Sequence, residues 1–295
     1  GVLAGDPECL AKIAMAGQRP VDGHAPGLTG APLCAYAATG IASDHECTTR
    51  EEAAEKLRLG LHIMIREGSQ ARNLDALLPL VRPDTLDRFL FVTDDKDVDD
   101  LLSEGHIDHI LRKAEAFGIN PAHAVRLASL NTARYFRRYD LGAVAPGYLA
   151  SLAIFDDLRD FKVSRVYHAG RLVVADGELV ESGLVERRPP VLRSSMNIHE
   201  IQPGELAIRA HREGPQRVHV IEVMEDRIDT RRSVESLPAI EGVVCADPAR
   251  DLARIAVIER HQAGGNIGRG FVRGFGFNAG AIGSSVGHDS HNLVV

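Results

Sequence analysis

The chain has 295 residues, of which 44% are hydrophobic and 25% are charged, with a formal net charge of −7. No apolar run approaches the roughly 20 residues needed to cross a bilayer, and the acidic balance argues against a nucleic-acid surface, which needs clustered Lys and Arg. We therefore expect a soluble globular protein of two or three compact units that binds a small molecule, with no membrane or nucleic-acid partner.

The cysteines and the first residues indicate where the protein acts. Four cysteines are scattered without any C-x-x-C pair, which favours a reducing compartment over a disulfide framework or a structural zinc site. We expect a cytoplasmic location. The first residues lack an initiator Met and the basic and apolar regions of a signal peptide, so we interpret the sequence as a fragment of a longer polypeptide.

Short apolar stretches alternate with helix-like segments from about residue 17 to residue 135. This alternation is typical of parallel strands joined by helical crossovers. The stretches 18–21, 39–42, 61–65 and 89–92 lead into Asp22, Ser43, Arg66 and Thr93, so polar residues cluster just past each predicted strand. A (β/α)8 barrel places its active site at this edge, but it needs eight such units. The sequence therefore predicts an α/β fold that includes half of a barrel.

Local signals predict the helices between these strands. Thr48 and Glu51 form a possible capping box before a helix that ends near Gly60. Helical spacing predicts two further helices, one that places Leu74, Leu77, Leu78 and Val81 on one face and one that places Ile107, Ile110, Leu111 and Ala114 on one face. Asn120 and Pro121 predict the start of a third helix, which extends through Leu130.

After residue 140 the pattern changes to short β stretches. Strands are expected at 149–155, 163–168 and 171–175, a linker at 182–198, and strands of a further domain at 218–223 and 254–258. The glycine-rich stretch 264–268 is interpreted as a flexible loop. We divide the chain into a half-barrel (1–140), a small β-sandwich segment (141–185) and part of an α/β domain (186–295).

Three metal-capable side chains, His24, His45 and Asp94, each follow a different predicted strand. Imidazole and carboxylate groups are ligands for a borderline divalent metal, which can activate water near neutral pH. Any one of these residues alone is better explained as a turn residue or a helix cap. All three at successive strand ends predict a metal centre with hydrolytic chemistry.

Several longer motifs resemble those of a known family. VDGHAPG at 21–27, SDHE at 43–46, IREGS at 65–69 and GHIDHI at 105–110 resemble the bacterial adenine deaminases of the amidohydrolase superfamily. APGYLA at 145–150 resembles the superfamily's return into its β-sandwich. GFG at 274–276 and the segment 284–292 resemble the carboxy-terminal domain of the adenine deaminases.

The resemblance implies a two-metal enzyme that converts adenine and water to hypoxanthine and ammonia in purine salvage. His24 and His45 would end barrel strands five and six and ligate one metal. Asp94 would end strand eight, ligate the other metal and act as the catalytic base, with Asp95 as the next candidate. The family implies manganese or iron, whereas the ligand types alone also permit zinc. A homo-oligomer is expected.

Other polar residues are weaker candidates. Arg66 and Glu67 are predicted to contact the purine, and Glu67 also to act in catalysis, although an ordinary ion pair explains them equally well. His106 is predicted to bind substrate, and it and His109 otherwise fit a helix start. A structural turn is preferred to a metal site for His288, Asp289 and His291.

Two parts of the superfamily's metal site are absent from these residues. A His-x-His pair, expected on strand one, occurs nowhere in the sequence, and the bridging carboxylate of strand four would also precede Gly1. We expect a separate amino-terminal half to complete the site. Two alternatives are another cyclic-amide or amidine hydrolase of the superfamily, and a non-catalytic scaffold that retains the fold.

Overall fold

A computed structural model of the chain describes residues 1–180, 195–225, 227, 229–285 and 291–295. The chain divides into two compact units, residues 1–184 and 185–295. Within the described ranges, the helices are all too short or too polar to cross a bilayer.

The first unit begins with a parallel sheet and its helices. In chain order the elements are α1 (Pro7–Met15), α2 (Gly30–Ala37), β1 (Ser43–Asp44), α3 (Arg50–Arg58), β2 (His62–Arg66), α4 (Leu74–Leu77), β3 (Phe89–Val92), α5 (Val98–Ser103), α6 (Ile107–Ala116), α7 (Pro121–Arg126) and α8 (Thr132–Tyr135). The sheet order is β1-β2-β3, all parallel. Val21 adds a parallel bridge to Ile41, so all four predicted stretches run side by side. The predicted α/β class is confirmed.

The strands of this sheet are buried on both faces, since Met64 and Leu90 on the second face pack with Tyr135 of α8. Ile63 and Ile65 of β2 and Phe89 of β3 are completely buried, and they pack with Ile110 of α6 in one core. Parallel strands with helices on both sides read as continuous apolar runs rather than as an alternation, which is the pattern of FLFV at 89–92. The core therefore fixes the strands, and the residues just beyond them form the loops at one edge.

Helix α3 begins one residue later than the sequence predicted. Its N-cap is Thr49, whose hydroxyl accepts from the backbone N–H of Glu52 at 3.3 Å. The Glu52 carboxylate accepts from the N–H of Thr48 at 3.2 Å. The proposed box of Thr48 and Glu51 is wrong, because Glu52 and not Glu51 turns back toward the start of the helix.

The predicted helix from Leu74 to Val81 is also shorter. Only Leu74–Leu77 is α-helical, and a single 3-10 turn follows at Leu78–Leu80. Pro79 has no backbone N–H to donate, so the α-helical pattern stops there. The apolar side chains still reach the core, since Leu74, Leu77 and Leu78 are buried.

The helix predicted from Pro121 through Leu130 runs on to Tyr135. It contains a π-helical turn at Leu127–Asn131, a geometry that inserts one extra residue into a helix. The buried Asn131 amide donates to the carbonyls of Leu86 at 2.8 Å and Phe89 at 2.9 Å. This side chain thus connects the helix to the beginning of β3.

An antiparallel sheet follows in the same unit. Its strands are β4 (Leu152–Phe155), β5 (Val163–His168), β6 (Arg171–Ala175) and β7 (Glu178–Leu179), in that order. β4 starts after the predicted residue 149, because the N–H of Leu149 donates to the carbonyl of Asp140 and the N–H of Ser151 to the carbonyl of Leu149, in place of ladder bonds.

Phe161, between β4 and β5, is completely buried in the first unit's core and contacts Phe155 edge to face at 5.3 Å. We expect Phe161→Ala to lower the free energy of unfolding by about 3–5 kcal/mol, since it leaves a large cavity. Phe117→Ala, which removes a ring that is 47% exposed, should cost far less. Urea denaturation of both variants checks this, and equal losses would contradict it.

The second unit is built of strands. Its described elements are a 3-10 turn at Pro203–Leu206, β8 (Gln216–Glu222), β9 (Arg231–Leu237), β10 (Ala239–Ile240), β11 (Val243–Val244), a 3-10 turn at Pro248–Arg250, β12 (Ala253–Ile258), β13 (Ile267–Arg273) and β14 (Leu293–Val294). The main sheet has the order β14-β12-β13-β8-β9, and only the pairing of β13 with β8 is parallel.

Two expectations for this unit need correction. Its described residues contain no α-helix, so they do not form the expected α/β domain; alternating apolar residues such as Val218 and Val220 favour strands. Within the expected loop 264–268, Ile267 and Gly268 belong to β13. Most of the expected linker at 182–198 lies outside the described residues.

Candidate metal centre

The loops that follow the parallel strands converge at one edge of the sheet. A Cβ on Gly23 would lie 2.2 Å from the carbonyl oxygen of Ser43, so only glycine permits the loop to pass this close to β1. The next residue, His24, is thereby placed beside His45, with ring centroids 5.3 Å apart and an interplanar angle of 64°.

His24, His45 and Glu46 form a group whose potential ligand atoms all lie within 4.8 Å of one another. Glu46 Oε1 is 3.3 Å from His45 Nε2 and 3.7 Å from His24 Nδ1. Glu46 is buried, whereas the His24 side chain is 53% exposed. Two imidazoles and one carboxylate at this spacing, open to solvent on one side, fit a borderline divalent cation.

Asp94 adjoins this group from the turn after β3. Its Oδ2 is 3.6 Å from His45 Nε2 and 2.9 Å from the Arg66 guanidinium. Its φ is 53°, a left-handed value that is uncommon outside glycine and that recurs at functional turns. The structure therefore brings together all three residues that the sequence predicted as metal ligands.

Arg66, the last residue of β2, is buried among carboxylates. Its guanidinium contacts Glu46, Asp94 and Asp95, the last at 2.8 Å. A buried cation that faces three acidic groups balances charge that would otherwise be costly to hide from water. These contacts place Arg66 beside the metal-capable group, with its guanidinium already engaged by protein.

Glu67 lies on the other side of the strand, since successive side chains point to opposite faces. Its buried carboxylate accepts from the Lys113 ammonium of α6 and from the Leu74 N–H at 3.2 Å. The structure does not bring Glu67 together with His24, His45 and Asp94.

The remaining predicted histidines lie near the start of α6 or in the second unit. His106 is exposed at the N-cap position, and its Nε2 is 3.1 Å from the Thr93 hydroxyl. Burial lowers the pKa of His109, whose Nε2 is 3.6 Å from Glu104. His291 is exposed, and His288 and Asp289 lie outside the described residues.

A second metal-capable group, Asp44, Cys47 and Glu52, lies beneath the first. Burial raises the pKa of the Cys47 thiol, which donates to Asp44 at 3.2 Å. Burial alone would also raise the pKa of Asp44, but the adjacent Lys56 ammonium outweighs it and lowers the pKa of Asp44. This group therefore already contains a cation that belongs to the chain.

Ion pairs secure the segment that follows Asp94. A hydrogen bond from Lys96 lowers the pKa of Glu104 to about 2, and Arg72 adds a second contact at 3.0 Å. A carboxylate whose pKa is lowered in the folded state stabilises the fold at pH values above its unfolded-state pKa, which is near 4.5 for Glu104. This contribution is lost as the pH falls toward the folded-state pKa of about 2.

We therefore expect Glu104→Gln to reduce the loss of stability between pH 4.5 and pH 2. The glutamine cannot ionise, so its contribution stays constant across that range. Urea midpoints measured at several pH values test this, with Glu51→Gln, an exposed glutamate of α3, as the matched control. Parallel pH profiles for wild type and Glu104→Gln would show that this ion pair does not contribute.

Glu46 was not among the site residues predicted from the sequence. Its only sequence signal is its position directly after His45, where strand alternation would direct the two side chains apart. The chain has already left β1 at this point, so both side chains reach the same cluster.

Comparison with protein-family models identifies the family of the chain. Residues 7–173 match the model described as the amidohydrolase family. The chain belongs to the amidohydrolase family. Residues 227–295 of this amidohydrolase match a second model, the adenine deaminase C-terminal domain. The resemblance seen in the sequence motifs is confirmed.

Curated relatives match the chain along its whole length. It is 47% identical to an adenine deaminase of Dehalococcoides mccartyi over 294 residues and 46% identical to one of Desulfatibacillum aliphaticivorans over 297 residues. Each match covers 100% of this chain and 51% of the relative. The chain thus spans about half the length of the curated relatives it matches. A solved β-aspartyl dipeptidase from Fervidobacterium islandicum AW-1 aligns with a TM-score of 0.49 and 16% identity, covering 63% of this chain and 56% of that one.

Proposed function

We propose that this chain supplies half of the active site of a metal-dependent adenine deaminase, which converts adenine and water to hypoxanthine and ammonia. The observation that carries the proposal is the group formed by His24, His45 and Glu46, with Asp94 beside it, just beyond neighbouring parallel strands. Relatives named adenine deaminase, 43–47% identical along the whole chain, support the choice of substrate.

In this proposal His24, His45 and Glu46 would hold one divalent cation, and Asp94 would be a ligand of a second. When bound, such cations supply Lewis acidity and lower the pKa of water. The family resemblance favours manganese or iron, although these donor types also suit zinc. The four parallel units correspond to barrel strands five to eight, and an amino-terminal segment would supply the His-x-His pair and the bridging carboxylate.

The chain's own residues handle the proton and orient the groups. Asp94 accepts a proton from the attacking water and returns it to the departing amino group of C6, a general acid–base role suited to a carboxylate. Arg66 holds the Asp94 carboxylate at 2.9 Å and acts as a positioning residue. The contacts of Glu67 with Lys113 and Leu74 support a structural role in place of the predicted catalytic one.

His106 is the remaining candidate for contact with the purine. It is exposed at the carboxyl edge of the sheet, and Thr93 fixes one of its ring nitrogens at 3.1 Å. Asp94 directly follows Thr93, so this contact holds His106 near the turn that carries Asp94. A hydrogen-bonded histidine can donate to or accept from a purine ring nitrogen.

The decisive experiment measures hypoxanthine formation by the purified protein loaded with Mn²⁺ or Fe²⁺. It is run with and without a co-expressed amino-terminal segment of the Dehalococcoides mccartyi relative, against a panel of purines and pyrimidines. We expect adenine to be deaminated only when that segment is present. Preference for another base would overturn the substrate assignment, and metal binding without turnover of any base would favour a scaffold role.

A further inference from the structure

A buried lysine lies beneath the two loops that carry the candidate ligands. Lys56 of α3 is completely buried, and its ammonium donates to the Ala25 carbonyl at 2.7 Å, to Asp44 at 2.5 Å and to Glu52 at 2.6 Å. An ammonium group has three donors. Each of the three is therefore used by a different part of the chain.

The two carboxylates extend this connection to the backbone of both loops. Asp44 accepts from the backbone N–H groups of Ala25 at 3.1 Å and Glu46 at 3.3 Å. Glu52 accepts from the backbone N–H groups of Gly27 at 2.7 Å and Thr48 at 3.2 Å. Ala25 and Gly27 lie within three residues after His24, and Glu46 and Thr48 within three residues after His45. Asp44 directly precedes His45. One buried group thus fixes the backbone next to every candidate ligand of the first cation.

We propose that Lys56 is a positioning residue for the metal centre. With Asp44 and Glu52 it fixes the loops at 25–27 and 44–48, so that His24, His45 and Glu46 face one point before a cation binds. The inference rests on the proposed metal-dependent function. The inference goes beyond the proposed function, because it assigns the arrangement of the ligands to a lysine that is not itself a proposed metal ligand or substrate contact.

The charges explain why a lysine is needed there. Two carboxylates buried side by side repel each other, and a hydrophobic residue at position 56 would leave them without a cation. The loops would then lose the Ala25 contact as well as the geometry that Asp44 and Glu52 impose. Supporting contacts of this kind typically change metal affinity by about 10- to 100-fold.

The test compares Lys56→Met with Ile110→Ala in the purified protein. Co²⁺ is titrated without adenine and followed by visible absorption, and the thermal midpoint of each variant is measured separately. Ile110 is a completely buried core residue of α6, so its truncation destabilises the fold but removes none of the hydrogen bonds of Lys56. At a temperature well below the thermal midpoint of Lys56→Met, we expect this variant to bind Co²⁺ about 10- to 100-fold more weakly than the unmodified protein. Ile110→Ala should bind Co²⁺ normally.

Unchanged Co²⁺ affinity in a folded Lys56→Met protein would overturn the inference. If Lys56→Met does not fold, Glu52→Gln retains the size of the side chain but weakens its hold on Gly27 and Lys56. It must then lower Co²⁺ affinity, and normal affinity overturns the inference. Because no readout uses adenine, a protein that binds Co²⁺ with the expected variant effects but turns over no adenine even when the amino-terminal segment is co-expressed overturns the proposed function alone.

Discussion

Replacing Asp94 with asparagine should lower adenine turnover by about 10²- to 10⁴-fold, the usual contribution of a general acid–base group. The amide fills the same space and can still accept from Arg66, so the fold is expected to persist. It cannot take up the proton of the attacking water. The effect should therefore fall on kcat rather than on folding.

The measurement is steady-state hypoxanthine formation by the complemented enzyme, with the metal content of each variant determined in parallel. Asp84→Asn is the control, since Asp84 is an exposed carboxylate in the loop before β3 that pairs with Arg82. A folded, metal-loaded Asp94→Asn enzyme with near-normal turnover would show that another group acts as the base.

Replacing His24 or His45 with alanine should abolish stable metal binding. Each change deletes a direct ligand, so affinity should fall by more than the roughly 10- to 100-fold caused by loss of a supporting contact. Co²⁺ titration of the purified variants measures the effect. His168→Ala, which removes an exposed histidine at the end of β5, should bind normally. Full occupancy in either ligand variant would show that the cation is held elsewhere.

The sequence predicted the elements whose signals are local. The strands at 163–168 and 171–175 have the predicted bounds, and α6 buries the predicted Ile110, Leu111 and Ala114. Apolar periodicity is sufficient for these elements because each strand or helix presents its own face to the core. The same logic located His24, His45 and Asp94, since the ends of parallel strands meet at one edge of a sheet.

The charged residues of the site could not be assigned in this way. Glu52 and Lys56 are four residues apart on a helix, a spacing that in sequence is typical of a solvent-exposed ion pair. They are buried because the loop at 25–27, distant in sequence, and the loop at 44–48 cover them. Arg66 and Glu67 are adjacent in sequence, but they lie on opposite faces of a strand, a separation that becomes visible only once β2 is placed.

In the proposed centre, the ammonium of Lys56 would also determine how the protein behaves when metal is scarce. Many small metal sites collapse when their ion is removed, since the ion itself holds the ligands together. Here a cation attached to the polypeptide holds the loops, and it cannot dissociate into solution. Protein made under metal starvation would keep its shape in a form ready for loading, and one divalent ion could be exchanged for another without refolding.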